Sequence, residues 1–307
     1  MIRFAVVAAF TVSACASPAR QPSTQQVPAQ QLDWNGPDSA SAVSLRDHGR
    51  RIASSQVVVF APVDLMPASH QAALVDTLEQ GVAELRRLIG GQLAWQRIED
   101  RPIQYYLVPD SIISHAGDND AVFIAVHRAL NGTAPYLHEA SHQLLAPPAP
   151  FYESEYADSA QAEAIFQAWP LWLTEGLPDV LAQMAASTVG LHEGDVFQVG
   201  GLAKADSTCA ARLAPNQYRA DILRVIGNKG YVDALFTTER RKVAPTFYPC
   251  AQSMTKYLVD AIGMERTVAL FPAIKAGNWA EAIERSSGMS LAVFQARWQA
   301  RLGLFPQ

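Results

Sequence analysis

Two histidines four residues apart, with a glutamate beside the first, are the residues of this chain best suited to chemistry: His138-Glu139-Ala140-Ser141-His142. Positions i and i+4 of a helix lie on one face, so both imidazoles can reach a single ion. Zinc suits imidazole nitrogen, and in catalytic sites it keeps one coordination position open for water. Glu139 is then placed to accept that water's proton, not to bind the metal. Zinc lowers the pKa of such a water to about 7, so hydroxide is available at neutral pH. Leu137, Ala140, Leu144 and Leu145 give the same helix a face to bury.

A catalytic zinc of this kind needs a third protein ligand from another element, usually a carboxylate or an imidazole. The segment Trp172-Leu173-Thr174-Glu175-Gly176-Leu177-Pro178-Asp179-Val180-Leu181 offers one. Glu175 stands among large apolar residues, where a lone carboxylate is costly to bury and coordination offsets the cost. Asp179 lies one turn on, placed to accept the second ring N–H of a ligand histidine. Glu163 is the rival third ligand, but nothing like the Asp179 partner stands four residues after it. His115, His127 and His192 have no spacing partner and read as surface or loop histidines. Ser141 and Ser253 lack any Ser/His/Asp context.

The elements that position these residues follow from periodicity and turn signals. Gln56–Pro62 reads as a buried strand, and Ser69 as the cap of a helix with the apolar stripe Leu74, Leu78, Val82, Leu85 and Leu88. Ile103–Val108 and Ala121–Val126 read as two further strands, the second offering its edge to an extended peptide. Asn131-Gly132 is a turn, and the motif helix runs from about Ala134 to Leu145, stopped by Pro147-Pro148. Helices are expected at about 161–169, 171–184, 250–262, 265–274, 279–286 and 291–302, whereas 191–215 reads as a loop. The fold class is therefore α+β: a small N-terminal sheet with helices, the motif helix, then a mostly helical C-terminal half.

The beginning of the chain has a different character. Met1-Ile-Arg3 gives a positive start and Phe4–Val12 an apolar run too short to span a bilayer. Val12-Ser13-Ala14-Cys15 resembles the lipobox of bacterial lipoproteins, which implies cleavage before Cys15 and lipid on its thiol. The alternative is an ordinary signal peptide cut near Ala16 or Ser17. Either way export is expected, to a bacterial cell envelope in the first case, with the membrane reached through a lipid anchor only. Residues 16–54, rich in Gln, Pro, Ser and Ala, read as a flexible tether, and 55–307 as the catalytic domain. Export permits disulfides, and after lipidation Cys209 and Cys250 are the only cysteines left to pair. A net charge of −5 with no Lys/Arg block argues against nucleic acid or an anionic membrane surface as partner.

The two motifs together resemble the gluzincins, zinc peptidases that pair HExxH with a downstream glutamate. Trp172-Leu173-Thr174-Glu175-Gly176 looks like the WLxEG segment of the aminopeptidase N group, and Glu175 with Asp179 is similar to the ExxxD pair of thermolysin. The run from Tyr248 through Tyr257-Leu258 to Gly288-Met289-Ser290-Leu291 and Trp298 resembles bacterial peptidase-MA-like domains. The resemblance covers roughly residues 56 to 304 and implies a zincin-like fold, a zinc ion held by His138, His142 and Glu175, and Tyr248 as the donor to the oxyanion. Tyr231 and Tyr257 compete for that last role. The chain departs from the pattern in two ways. Thirty-two residues separate His142 from Glu175, where the large gluzincin families use roughly twenty. No GxMEN-like segment precedes the motif, which argues for endopeptidase action or an unusual substrate.

The expected activity is zinc-dependent hydrolysis of a peptide or protein substrate in the cell envelope. The alternatives are a non-catalytic zinc-binding lipoprotein, against which Glu139 argues, and a zinc hydrolase of cell-wall amide bonds.

Overall fold

In a computed structural model, residues 37–92, 102–112, 114–117, 120–145, 170–193, 201–216, 219–220, 222–223, 232–275 and 277–304 are described. Five strands form one mixed sheet: β1 (Arg50–Ala53), β2 (Val57–Ala61), β3 (Ile103–Val108), β4 (His115–Ala116) and β5 (Ala121–Ala125), in the order β1-β2-β3-β5-β4. The three central strands are parallel, and the two outer ones are antiparallel to their neighbours. β2 and β5 are buried at every position, because helices cover both faces of the sheet. Val57, Val59, Tyr105, Leu107, Val122 and Ile124 face the main core with the helix α2 (Ala68–Ile89), while Val58, Phe60, Tyr106 and Phe123 face the other side.

That other side is covered by α1 (Pro37–His48), through Ala42 and Leu45. Arg46 donates from Nε to the Tyr106 hydroxyl at 2.7 Å and from Nη2 to Gln104 Oε1 at 2.9 Å, which ties α1 to β3. The tether expected over 16–54 is thus corrected for its last part, since 37–53 form a helix and a paired strand. Their sequence hides this because, among the described side chains, α1 buries two apolar residues, and β1 is a half-buried edge. Residues 1–36, including Cys15, lie outside the described residues. Among the described residues no helix is long and apolar enough to cross a membrane.

Strands β2, β3 and β5 fall where the apolar runs place them. The Ser69 cap does not: α2 begins at Ala68 behind Pro67, with no side-chain cap. Nor does β5 offer a free edge. β4 pairs with it at His115↔Phe123 and Ala116↔Val122, and Gly117 N donates to Ala121 O.

Beyond the sheet the described chain is helical. After α3 (Val126–Leu130) come α4 (Tyr136–Leu145), α5 (Leu171–Val189) and α6 (Ala205–Leu213), the last within a stretch expected to be loop. α7 (Val232–Ile262) is far longer than expected, because Pro245 and Pro249 look like breakers in sequence. Pro249 has no N–H to bond the Pro245 carbonyl, and Arg212 of α6 donates to that oxygen at 2.6 Å instead. The expected 265–274 helix is two short ones, α8 (Met264–Val268) and α9 (Phe271–Lys275), followed by α10 (Trp279–Ser287) and α11 (Leu291–Arg301). Cys209 of α6 and Cys250 of α7 form a disulfide.

Candidate metal centre

α4 crosses the core beneath the sheet with Leu137, Ala140, Leu144 and Leu145 buried. Gly81 of α2 makes room for it: a Cβ there would meet the Leu137 side chain at 2.8 Å. Gln143, next to His142, donates to the carbonyls of Gly117 and Ala121, so the short strand β4 is pinned to the helix that carries the histidines. α5 packs on α4 and buries most of its residues, with Trp172, Leu173, Leu177 and Leu181 fully enclosed. Gly176 lets it lie directly on α7, since a Cβ there would be 2.5 Å from the Ala251 carbonyl oxygen. Thr255 of α7 donates to the Trp172 carbonyl at the same crossing. These contacts fix the face on which Glu175 and Asp179 stand.

His138, Glu139 and His142 offer ligand atoms that all lie within 4.8 Å of one another, a group that could hold a metal ion. The two Nε2 atoms are 3.1 Å apart. Glu175 enters from α5, its Oε2 lying 3.8 Å from His138 Nε2 and 3.7 Å from His142 Nε2. A triangle with these three sides has a circumradius of about 2.1 Å, so one point in its plane lies at that distance from all three atoms, within the ~2.0–2.2 Å range of zinc–nitrogen and zinc–oxygen bonds. Two carboxylates thus stand near the nitrogens. Glu175 shares that point with both nitrogens, and Glu139 lies within the same 4.8 Å group as the two histidines. Glu139 is itself buried, at 8 % exposure, while the His142 and Glu175 side chains keep 25 % and 22 %, so the cluster is open on their side.

His138 is held from behind. Its Nδ1 lies 2.7 Å from Asp179 Oδ1, and with Nε2 turned to His142 and Glu175 the Nδ1 proton is donated to that carboxylate. Burial alone would depress the imidazole. The attraction and hydrogen bond of Asp179, with the charges of Glu139 and Glu175, outweigh burial and hold it up at about 10. Burial raises the Asp179 carboxyl, and the facing His138 opposes that rise.

One residue of the site has no signal in the sequence. Glu193, just beyond α5, reaches back to α4, where its Oε1 accepts from the backbone N–H of Leu137 and of His138, both at 2.8 Å. Burial pushes its carboxyl up to about 8, against the pull of these two hydrogen bonds.

Tyr248 is half-buried on α7, its ring 5.5 Å from that of Phe247, one turn before the Ala251 that touches Gly176. Tyr257 is engaged elsewhere, packed 5.0 Å from Phe294 and beneath the Arg301 guanidinium. Tyr231, Glu163 and the helix expected at about 161–169 lie outside the described residues. His127 pairs with Asp110 on the surface, and His115 stacks on Phe123. Compared with known proteins, the chain matches no protein-family model, no curated protein and no solved structure.

Proposed function

We propose that the protein is a zinc-dependent hydrolase of the gluzincin type, with a zincin-like fold, that cleaves peptide bonds in the cell envelope, to which Cys15 anchors it by lipid. The observation that carries this reading is the placement of His138 Nε2, His142 Nε2 and Glu175 Oε2 around one point at zinc-bond distance, with Asp179 behind His138. Bound there, zinc supplies a Lewis acid that polarises a scissile carbonyl and makes water nucleophilic at neutral pH.

The chain's own residues do the rest. Glu139 accepts the proton of the attacking water and returns it to the leaving amine, as a buried carboxylate beside the first ligand is placed to do. Asp179 fixes the tautomer and ring plane of His138. Tyr248 donates to the oxyanion from α7. β4, the edge strand of the sheet, is held to α4 by Gln143, so an extended substrate pairing with it is brought alongside the histidines.

The test is hydrolysis by the zinc-loaded full chain of a peptide library and, separately, of isolated cell-wall material. The expected result is peptide cleavage that disappears in Glu139→Gln while zinc remains bound. Undiminished turnover by that variant overturns the mechanism, and cleavage of the cell-wall amides alone overturns the substrate class.

A further inference from the structure

The residue the proposed chemistry leaves unused is Glu193. It is 7 % exposed, and its Oε2 is buried with no hydrogen-bond partner among the described residues. A carboxyl group with one oxygen left unpaired in the interior lowers stability unless its other contacts offset that loss. Those contacts go to one place, the backbone N–H groups of Leu137 and His138. Leu137 and His138 are the second and third residues of α4, whose first-turn N–H groups have no partner within the helix. Pro135, just before the helix, has no side-chain acceptor to cap them. The acceptor therefore comes from 55 residues away.

Its route is short and well defined. α5 ends at Gly190, whose left-handed backbone (φ 69°) turns the chain, and Leu191 and His192 lead to Glu193. The same stretch of chain, 175–193, thus reaches His138 at three atoms. Glu175 faces Nε2, Asp179 binds Nδ1, and Glu193 accepts from the backbone N. The first two set the ring; only the third sets the main chain that carries it.

Building on the zinc reading above, we infer that Glu193 is a positioning residue of the metal site. Its carboxyl oxygen locks the first turn of α4 so that His138 is presented to Glu175 and His142. The role requires an acceptor oxygen at the right reach, which a carboxamide of equal length provides and a shorter carboxylate does not.

Zinc affinity of the full chain, measured by competition with a chromophoric chelator, separates these cases. Glu193→Ala and Glu193→Asp are expected to weaken zinc binding by about 10–100-fold, the range for partners that orient a ligand. Glu193→Gln, which keeps the oxygen in place, is expected to stay within about threefold of the wild type, a small part of that range. Wild-type affinity in Glu193→Asp or Glu193→Ala overturns the inference, as does equal loss in Glu193→Gln and Glu193→Asp. If Glu193→Ala does not fold, the Asp and Gln pair still decides. A wild-type chain that takes up no zinc overturns the metal reading itself, and the wild-type titration alone reveals that outcome.

Discussion

Gly176→Ala adds one methyl group beside the proposed ligand Glu175, and its effect can be worked out before it is made. The new Cβ would sit 2.5 Å from the Ala251 carbonyl oxygen and would also collide with Thr255 Oγ1. An ordinary contact of this kind is about 3.4 Å or longer, so α5 and α7 must part by roughly 1 Å. Neither obstacle yields easily: one is helix backbone, and the other is a fully buried hydroxyl bonded to the Trp172 carbonyl. Overpacking of this sort costs about 1–3 kcal/mol, and two obstructing atoms place it toward the upper end. Alanine's better helix propensity offsets about 1 kcal/mol. The expected net loss is about 1–2 kcal/mol, read as a fall in the urea midpoint at unchanged m-value. Since the displacement occurs next to Glu175, zinc affinity should drop at least tenfold, or about 1.4 kcal/mol. Gly91→Ala is the control, because among the described residues nothing lies within 4 Å of its added methyl and its φ of −82° is ordinary. Equal or higher stability of Gly176→Ala with unchanged zinc affinity would refute the reasoning.

Three further outcomes are expected. Zinc uptake should strengthen as pH rises from 6.5 toward 9, because the proton held on His138 up to about 10 must leave before the nitrogen can ligate; a flat profile contradicts this. Glu175→Ala should lose zinc outright and Asp179→Ala by about 10–100-fold, the latter with a shallower pH dependence because His138 then holds its proton less tightly; equal losses in chelator competition would count against the division of roles. Replacing both Cys209 and Cys250 with alanine removes a link across a sequence separation of 41 and should destabilise by about 4 kcal/mol in denaturant melts with zinc content retained, whereas an unchanged midpoint would show that the link takes no entropy from the unfolded chain.

The parts of the fold that the sequence displays are those whose signal is local. β2, β3 and β5 are unbroken apolar runs because both their faces are covered, and α4 shows itself through its histidine spacing and apolar face. β4 cannot be seen in this way: its two residues are strand only because β5 pairs with them and Gln143 holds their end. α1 carries two buried apolar residues among Ser, Asp and Ala, and its place on the sheet depends on Arg46 reaching Tyr106 and Gln104. α6 did leave a trace, since Ala205, Cys209 and Leu213 recur at helical spacing, but no strong apolar residue marks the series before Leu213. In the site, His138, His142, Glu175 and Asp179 can be read from side-chain chemistry at fixed intervals. Glu193 cannot, because it acts on backbone N–H groups that every residue but proline possesses.

The central claim, that His138, His142 and Glu175 hold one zinc ion, is tested most directly by X-ray absorption at the zinc edge on the full chain purified without chelators. The account predicts one zinc per chain in a shell of nitrogen and oxygen atoms at about 2.0–2.2 Å, with two imidazole scattering patterns and no sulfur, since both described cysteines are in a disulfide. In Glu175→Ala that shell should be lost. Absence of stoichiometric metal, or a shell unchanged by Glu175→Ala, would contradict it.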